Sequence, residues 1–83
     1  MKDIIRRILA DVGKLDVPVA SLDDQADLYE AGLSPLTSVH VLLAIETALD
    51  IEIPDRLLSR RLFCSIDSLA FALGRLRRQQ EAA

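Results

Sequence analysis

The dipeptide Ser34-Pro35 fixes where a helix begins, and with it the layout of the chain. Serine is a favoured N-cap because its oxygen accepts from an unpaired amide of the first turn. Proline is favoured one position later, where no amide is needed. Downstream, Leu36, Val39, Leu42, Leu43, Ile45 and Leu49 recur at helical spacing and predict a helix over Pro35–Leu49. Their stripe is broad enough to face more than one neighbouring helix.

The flanking sequence supplies those neighbours. Ile4, Ile5, Ile8, Leu9 and Val12 predict a first helix over Lys2–Val12, with Gly13 as its stop. Near the other end, Ser65 reads as an N-cap, Asp67 suits the positive end of the helix that follows, and Ile66, Leu69, Ala70, Leu73 and Leu76 form its inward stripe. Arg75, Arg77 and Arg78 suit its C-terminal end. Pro54 closes an extended stretch, after which residues 56–63 are expected to form a short, irregular helix. Between the first two main helices, residues 14–33 form a long connection. Its Leu15, Val17, Val19, Leu22, Leu28 and Leu33 can drop into the core, and loops of this length are usually anchored or functional. The fold class expected is all-α: a small bundle of three principal helices plus one short helix. It occupies residues 1–78, and residues 79–83 are expected to fray.

Eighty-three residues form one small domain with a modest core, a size better suited to binding or carrying than to catalysis. No apolar run approaches the roughly 20 residues that span a bilayer, so no membrane partner is expected. The N-terminal Met1-Lys2-Asp3-Ile4-Ile5-Arg6-Arg7 is interrupted by charge and lacks the apolar block of a secretory signal, which predicts a cytoplasmic protein. Charge is unevenly divided: residues 1–55 hold eleven acids and four bases, whereas residues 56–83 hold six arginines, Asp67 and Glu81. The two parts should attract different partners, or each other. Nucleic acid is not expected as a partner, because the pI is near 4.9 and no reading motif accompanies the arginines.

Single residues add little chemistry. His40 has no serine or cysteine at helical spacing and reads as an exposed polar residue. Asp23, Asp24 and Asp27 lack the ligand pattern of a calcium loop and read as solvated. The lone Cys64 forms no internal disulfide and reads as a small buried apolar residue. No base, nucleophile and orienting group can be assembled, so the chain is not expected to be an enzyme, and no metal site is expected.

Two segments carry a family resemblance: Asp27-Leu28-Tyr29-Glu30-Ala31-Gly32-Leu33-Ser34-Pro35-Leu36 and Asp50-Ile51-Glu52-Ile53-Pro54-Asp55. Together they resemble the acyl carrier proteins, whose motif Asp-Ser-Leu opens the second helix and carries 4'-phosphopantetheine on its serine. Counting back without gaps from Pro54-Asp55 places Ser34, Pro35 and Leu36 on that motif, so Pro35 stands where the resemblance implies the attachment serine. Ala31-Gly32-Leu33-Ser34, Ile51-Glu52-Ile53-Pro54-Asp55 and residues 56–63 look more narrowly like short bacterial aminoacyl carriers. The resemblance implies an acyl or aminoacyl thioester on the arm. Its implied partners are a phosphopantetheinyl transferase, an acyl or aminoacyl ligase and acceptor enzymes, around a monomeric carrier.

Three outcomes stay open for the prosthetic group. Ser34 has a hydroxyl but lies one residue early, displaced by up to about 3.8 Å between neighbouring Cα atoms. Ser38 lies about one turn inside the helix, where serine usually faces solvent or bonds back to a carbonyl. The third outcome is an unmodified, carrier-like interaction domain. The resemblance also implies an acidic second helix as recognition surface. The matching positions here are Thr37, His40, Glu46 and Thr47, so much of that acidity is missing. Leu43 and Val41 are candidates for an apolar docking edge or for the core.

Overall fold

The computed structural model describes residues 1–82, of which 81 and 82 by backbone alone. Three α-helices, α1 (Lys2–Val12), α2 (Pro35–Leu49) and α3 (Ile66–Ala82), are joined by connections that include 3-10 turns at Val19–Ser21 and Asp55–Leu57. No strand occurs among the described residues, and α1 packs against both other helices. The expected all-α bundle is the one observed.

Ile5 and Leu9 of α1, Val41 and Ile45 of α2, and Ile66, Leu69 and Leu73 of α3 are fully buried, with Leu28 from the long connection among them. Burying each such side chain contributes about 1.5–3 kcal/mol, the main favourable term for so small a domain. The Gly13 amide closes α1 on the Leu9 carbonyl at 2.9 Å. Ser65 caps α3, its hydroxyl accepting from the Ser68 amide at 3.0 Å.

The second helix is turned differently from the expected stripe. Val41 and Ile45 enter the core, Leu42 and Leu49 are half-buried, and Leu36, Val39 and Leu43 are exposed. Residues 36–45 are apolar on nearly every side, so the pattern leaves the facing open and contact with α1 decides it. Val41 and Leu43 thus part company, one to the core and the other to the surface.

No α-helix forms over residues 56–63. After the 3-10 turn the chain continues through turns closed by Leu62 on Ser59 and Cys64 on Arg61. A segment this short gains too few bonds to offset helix nucleation. Cys64 is exposed rather than buried, because it sits in the last of these turns, just ahead of the α3 cap. Residues 79–82 continue α3, and Gln80 exchanges two hydrogen bonds with the Glu52 backbone, at 2.8 and 3.3 Å. Ala83 lies outside the described residues.

The long connection is held by Arg6. Its guanidinium donates to the Val19 and Leu22 carbonyls at 3.0 and 2.9 Å and to Asp24 at 2.6 Å. Asp24 and Asp67 also pair with Lys2, at 3.1 and 2.6 Å. Bonding to Arg6 and Lys2 holds the Asp24 carboxyl below the ordinary aspartate range, so Asp24 is not simply solvated. A lysine has no planar fork with which to reach two carbonyls and a carboxylate together. Arg6→Lys is therefore expected to lower stability by about 1–2 kcal/mol, read by urea denaturation, with the helical circular dichroism unchanged.

Candidate prosthetic-group site

The site is built where the long connection enters α2. Asp27 accepts from the Tyr29 and Glu30 amides at 2.9 and 3.4 Å, folding the chain into a turn. Leu28, Ala31 and Leu33 are buried and anchor that turn in the core. Gly32 sits between the anchors at φ +112°, against the Asp16 backbone. The Asp16 amide donates to the Ala31 carbonyl at 2.8 Å, which fixes this approach.

Ser34 follows as the N-cap of α2 and is half-buried. Its hydroxyl oxygen accepts from the Thr37 amide at 3.1 Å, while Thr37 Oγ1 accepts from the Ser34 amide at 2.9 Å. This is a reciprocal capping box, with threonine in the place more often held by glutamate or glutamine. The two hydroxyl oxygens lie 2.9 Å apart, and Thr37 Oγ1 also lies 3.2 Å from the Ser34 carbonyl. When Thr37 donates to that carbonyl, the Ser34 hydroxyl hydrogen points to Thr37. The serine identified from the sequence therefore serves the helix as well.

Pro35 is exposed at the first helical position and offers no hydroxyl. Ser38 donates back to the Pro35 carbonyl at 2.7 Å, as a serine inside a helix commonly does. The hydrogen bonds among the described residues leave the Leu36 amide without a protein acceptor, at the positive end of a 15-residue helix.

Thr37 and Glu46 were assigned to the outer face by sequence, and both turn inward in function. Thr37 completes the capping box, a role its spacing of three from Ser34 already encodes. The Glu46 carboxylate accepts from the Ile53 amide at 2.9 Å and ties the extended stretch to α2. The outer surface of α2 then consists of Pro35, Leu36, Val39, His40, Leu43, Thr47 and Ala48, with Leu36, Val39 and Leu43 exposed to 68, 49 and 55%. Among the described residues, no group of histidine, cysteine, aspartate and glutamate side chains is arranged to hold a metal ion. No helix is long and apolar enough to cross a membrane among the described residues.

The turn, the capped helix start and the bundle together define a carrier domain, and the chain belongs to the phosphopantetheine attachment site family, whose model matches residues 3–62. It is 52% identical over 69 residues to an aminoacyl carrier protein of Agrobacterium fabrum, with 83% of each chain covered. Among solved structures it resembles a chain from the complex of an engineered Bradyrhizobium japonicum glycine:[carrier protein] ligase with AMP and a carrier protein from Agrobacterium tumefaciens. That likeness has 49% identity and a TM-score of 0.86, covering 89% of this chain and 99% of that one. A solution structure from Agrobacterium tumefaciens matches over the whole of both chains, with 47% identity and a TM-score of 0.81. The chain is accordingly a carrier protein of the aminoacyl group, not an enzyme, and the prosthetic group of its family is 4'-phosphopantetheine.

Among the residues at the start of α2, Ser34 is the one that would hold that group. Its hydroxyl lies at the N-terminus of α2, where the helix dipole and the Leu36 amide favour a phosphodiester. This hydroxyl is also the cap, and the next residue, Pro35, has none.

Proposed function

We propose that the chain carries an aminoacyl group on a phosphopantetheine arm attached to Ser34. The arm supplies a thiol on which the cargo is held as a thioester, while the protein positions it for a loading ligase and an acceptor enzyme. The observation that carries this reading is the placement of the Ser34 hydroxyl at the N-terminus of α2, on a turn pinned by Leu28, Gly32 and Leu33. A phosphopantetheinyl transferase adds the arm, and an amino acid ligase loads it, as the carrier complexed with a glycine ligase suggests. The setting is a bacterial cytoplasm and the carrier acts as a monomer. Leu36, Val39 and Leu43 beside the arm form an apolar docking face, so association with the ligase depends little on ionic strength.

Intact mass after incubation with coenzyme A and a broad phosphopantetheinyl transferase tests the assignment, with peptide fragmentation to locate the adduct. Ser34→Ala is expected to abolish the adduct and, through loss of the cap, to cost about 1 kcal/mol in urea denaturation. Ser38→Ala is expected to keep it. An adduct that survives Ser34→Ala overturns the assignment.

A second reading, an unmodified interaction domain, is favoured by one observation: Pro35 has no hydroxyl and that of Ser34 is engaged by Thr37. Its expected result is no adduct on a folded sample beside a control carrier that is modified.

A further inference from the structure

An aromatic ring stands in the open on α3. Phe71 is 68% exposed, and the Arg75 guanidinium lies 5.8 Å from its centroid. The ring borders two shallow hollows of about 310 and 350 Å³ that share Arg56, Leu57 and Ala72. Arg75, Leu76 and Gln79 complete one, and Ser59, Arg61 and Ser68 help to line the other. No residue of α2 lines either hollow, so this surface is separate from the face beside Ser34.

Its arginines form no ion pair among the described residues, although Glu52 and Asp55 line a neighbouring hollow with Arg56. The ion pairs among the described residues are Lys2 with Asp24 and Asp67, and Arg6 with Asp24. None involves Arg56, Arg61 or Arg75, and Asp67, the acid one turn before Phe71, is held by Lys2 at 2.6 Å. Three guanidiniums without carboxylate partners thus surround an exposed ring, on a protein whose net charge is −3. Buried aromatic and arginine side chains are the usual anchors of protein interfaces, and complementary charge around them sets orientation and association rate.

We propose that the Phe71 face is a second docking surface, for a protein segment that presents carboxylates around an apolar side chain. Charge selects this occupant. A nucleic acid finds a single aromatic here and no apolar group of its own to fill the hollows, whereas an acidic segment with an apolar side chain meets three arginines and both hollows. The apolar side chain seats against Phe71, Leu57 and Ala72, and the carboxylates pair with Arg56, Arg61 and Arg75. Because α2 is not involved, the carrier can hold this partner while its other face engages a ligase.

The test is a backbone-amide NMR titration of the full chain with a synthetic helical peptide of glutamates flanking a leucine stripe. Controls are a scrambled peptide of equal composition, a polyglutamate and anionic phosphatidylglycerol vesicles. The expected result is saturable shifts centred on Leu57, Phe71, Ala72 and Arg75 with the patterned peptide. Affinity should fall at least tenfold in Phe71→Ser and in Arg75→Glu, and stay unchanged in Lys14→Glu; exposure of both mutated α3 side chains leaves the fold intact, which circular dichroism checks. Equal binding of the scrambled peptide or polyglutamate, shifts elsewhere, indifference to Phe71→Ser, or no binding at all overturns the proposal. Vesicle binding through these residues without peptide binding overturns it in favour of a lipid surface.

Discussion

Pro35→Ser is expected to raise the rate of phosphopantetheine loading by about a hundredfold and to move the adduct from position 34 to position 35. The magnitude follows from geometry, because a displacement of an ångström or more in a reacting group costs about that factor. Position 35 is exposed and first in the helix, so an introduced hydroxyl there faces solvent and leaves the Ser34–Thr37 box in place. Proline at this position spends no amide, so its loss changes stability by less than about 1 kcal/mol. Timed intact-mass measurements on both proteins, with fragmentation, give the result. Equal rates, or an adduct that stays on Ser34, would show that proline is not what limits loading.

Gly32→Ala is expected to cost about 2 kcal/mol or more, because two penalties coincide. The backbone there has φ +112°, a region that side chains resist at about 1–3 kcal/mol. A Cβ would also meet the Asp16 amide nitrogen at 2.8 Å and its carboxylate at 2.7 Å, and the amide cannot swing aside while it holds the Ala31 carbonyl. Urea denaturation of the apo protein measures the loss. Loading should fall further than stability does, since this turn sets the direction from which the chain enters α2. A variant as stable as the parent would mean that the turn can relax without cost.

The helix limits were legible because their signals are local. Gly13, Ser34-Pro35 and Ser65 mark ends through their own caps, and the structure places those ends as the sequence implied. The facing of α2 was not legible, since leucines and valines surround residues 36–45 and only the packed partner selects Val41 over Leu43. Arg6 escaped notice for a related reason: its acceptors are carbonyls 13 and 16 residues away, and backbone groups carry no sequence signal. At the site, Ser34 was readable as the cap of α2, but the part Thr37 plays in return was not. The spacing Ser34 to Thr37 suggested a capping box only to a reader looking for threonine in place of glutamate.

That box couples covalent chemistry to helix fraying. On the proposed attachment to Ser34, the hydroxyl that reacts is the one that accepts from the Thr37 amide, and it is a weaker nucleophile while the first turn is closed. With a cap contributing about 1 kcal/mol, the open fraction is roughly one in six. Whatever loosens the start of α2 is therefore expected to make that serine more reactive, and attachment there would remove the hydroxyl proton shared with Thr37 while leaving an oxygen that the Thr37 amide can still reach.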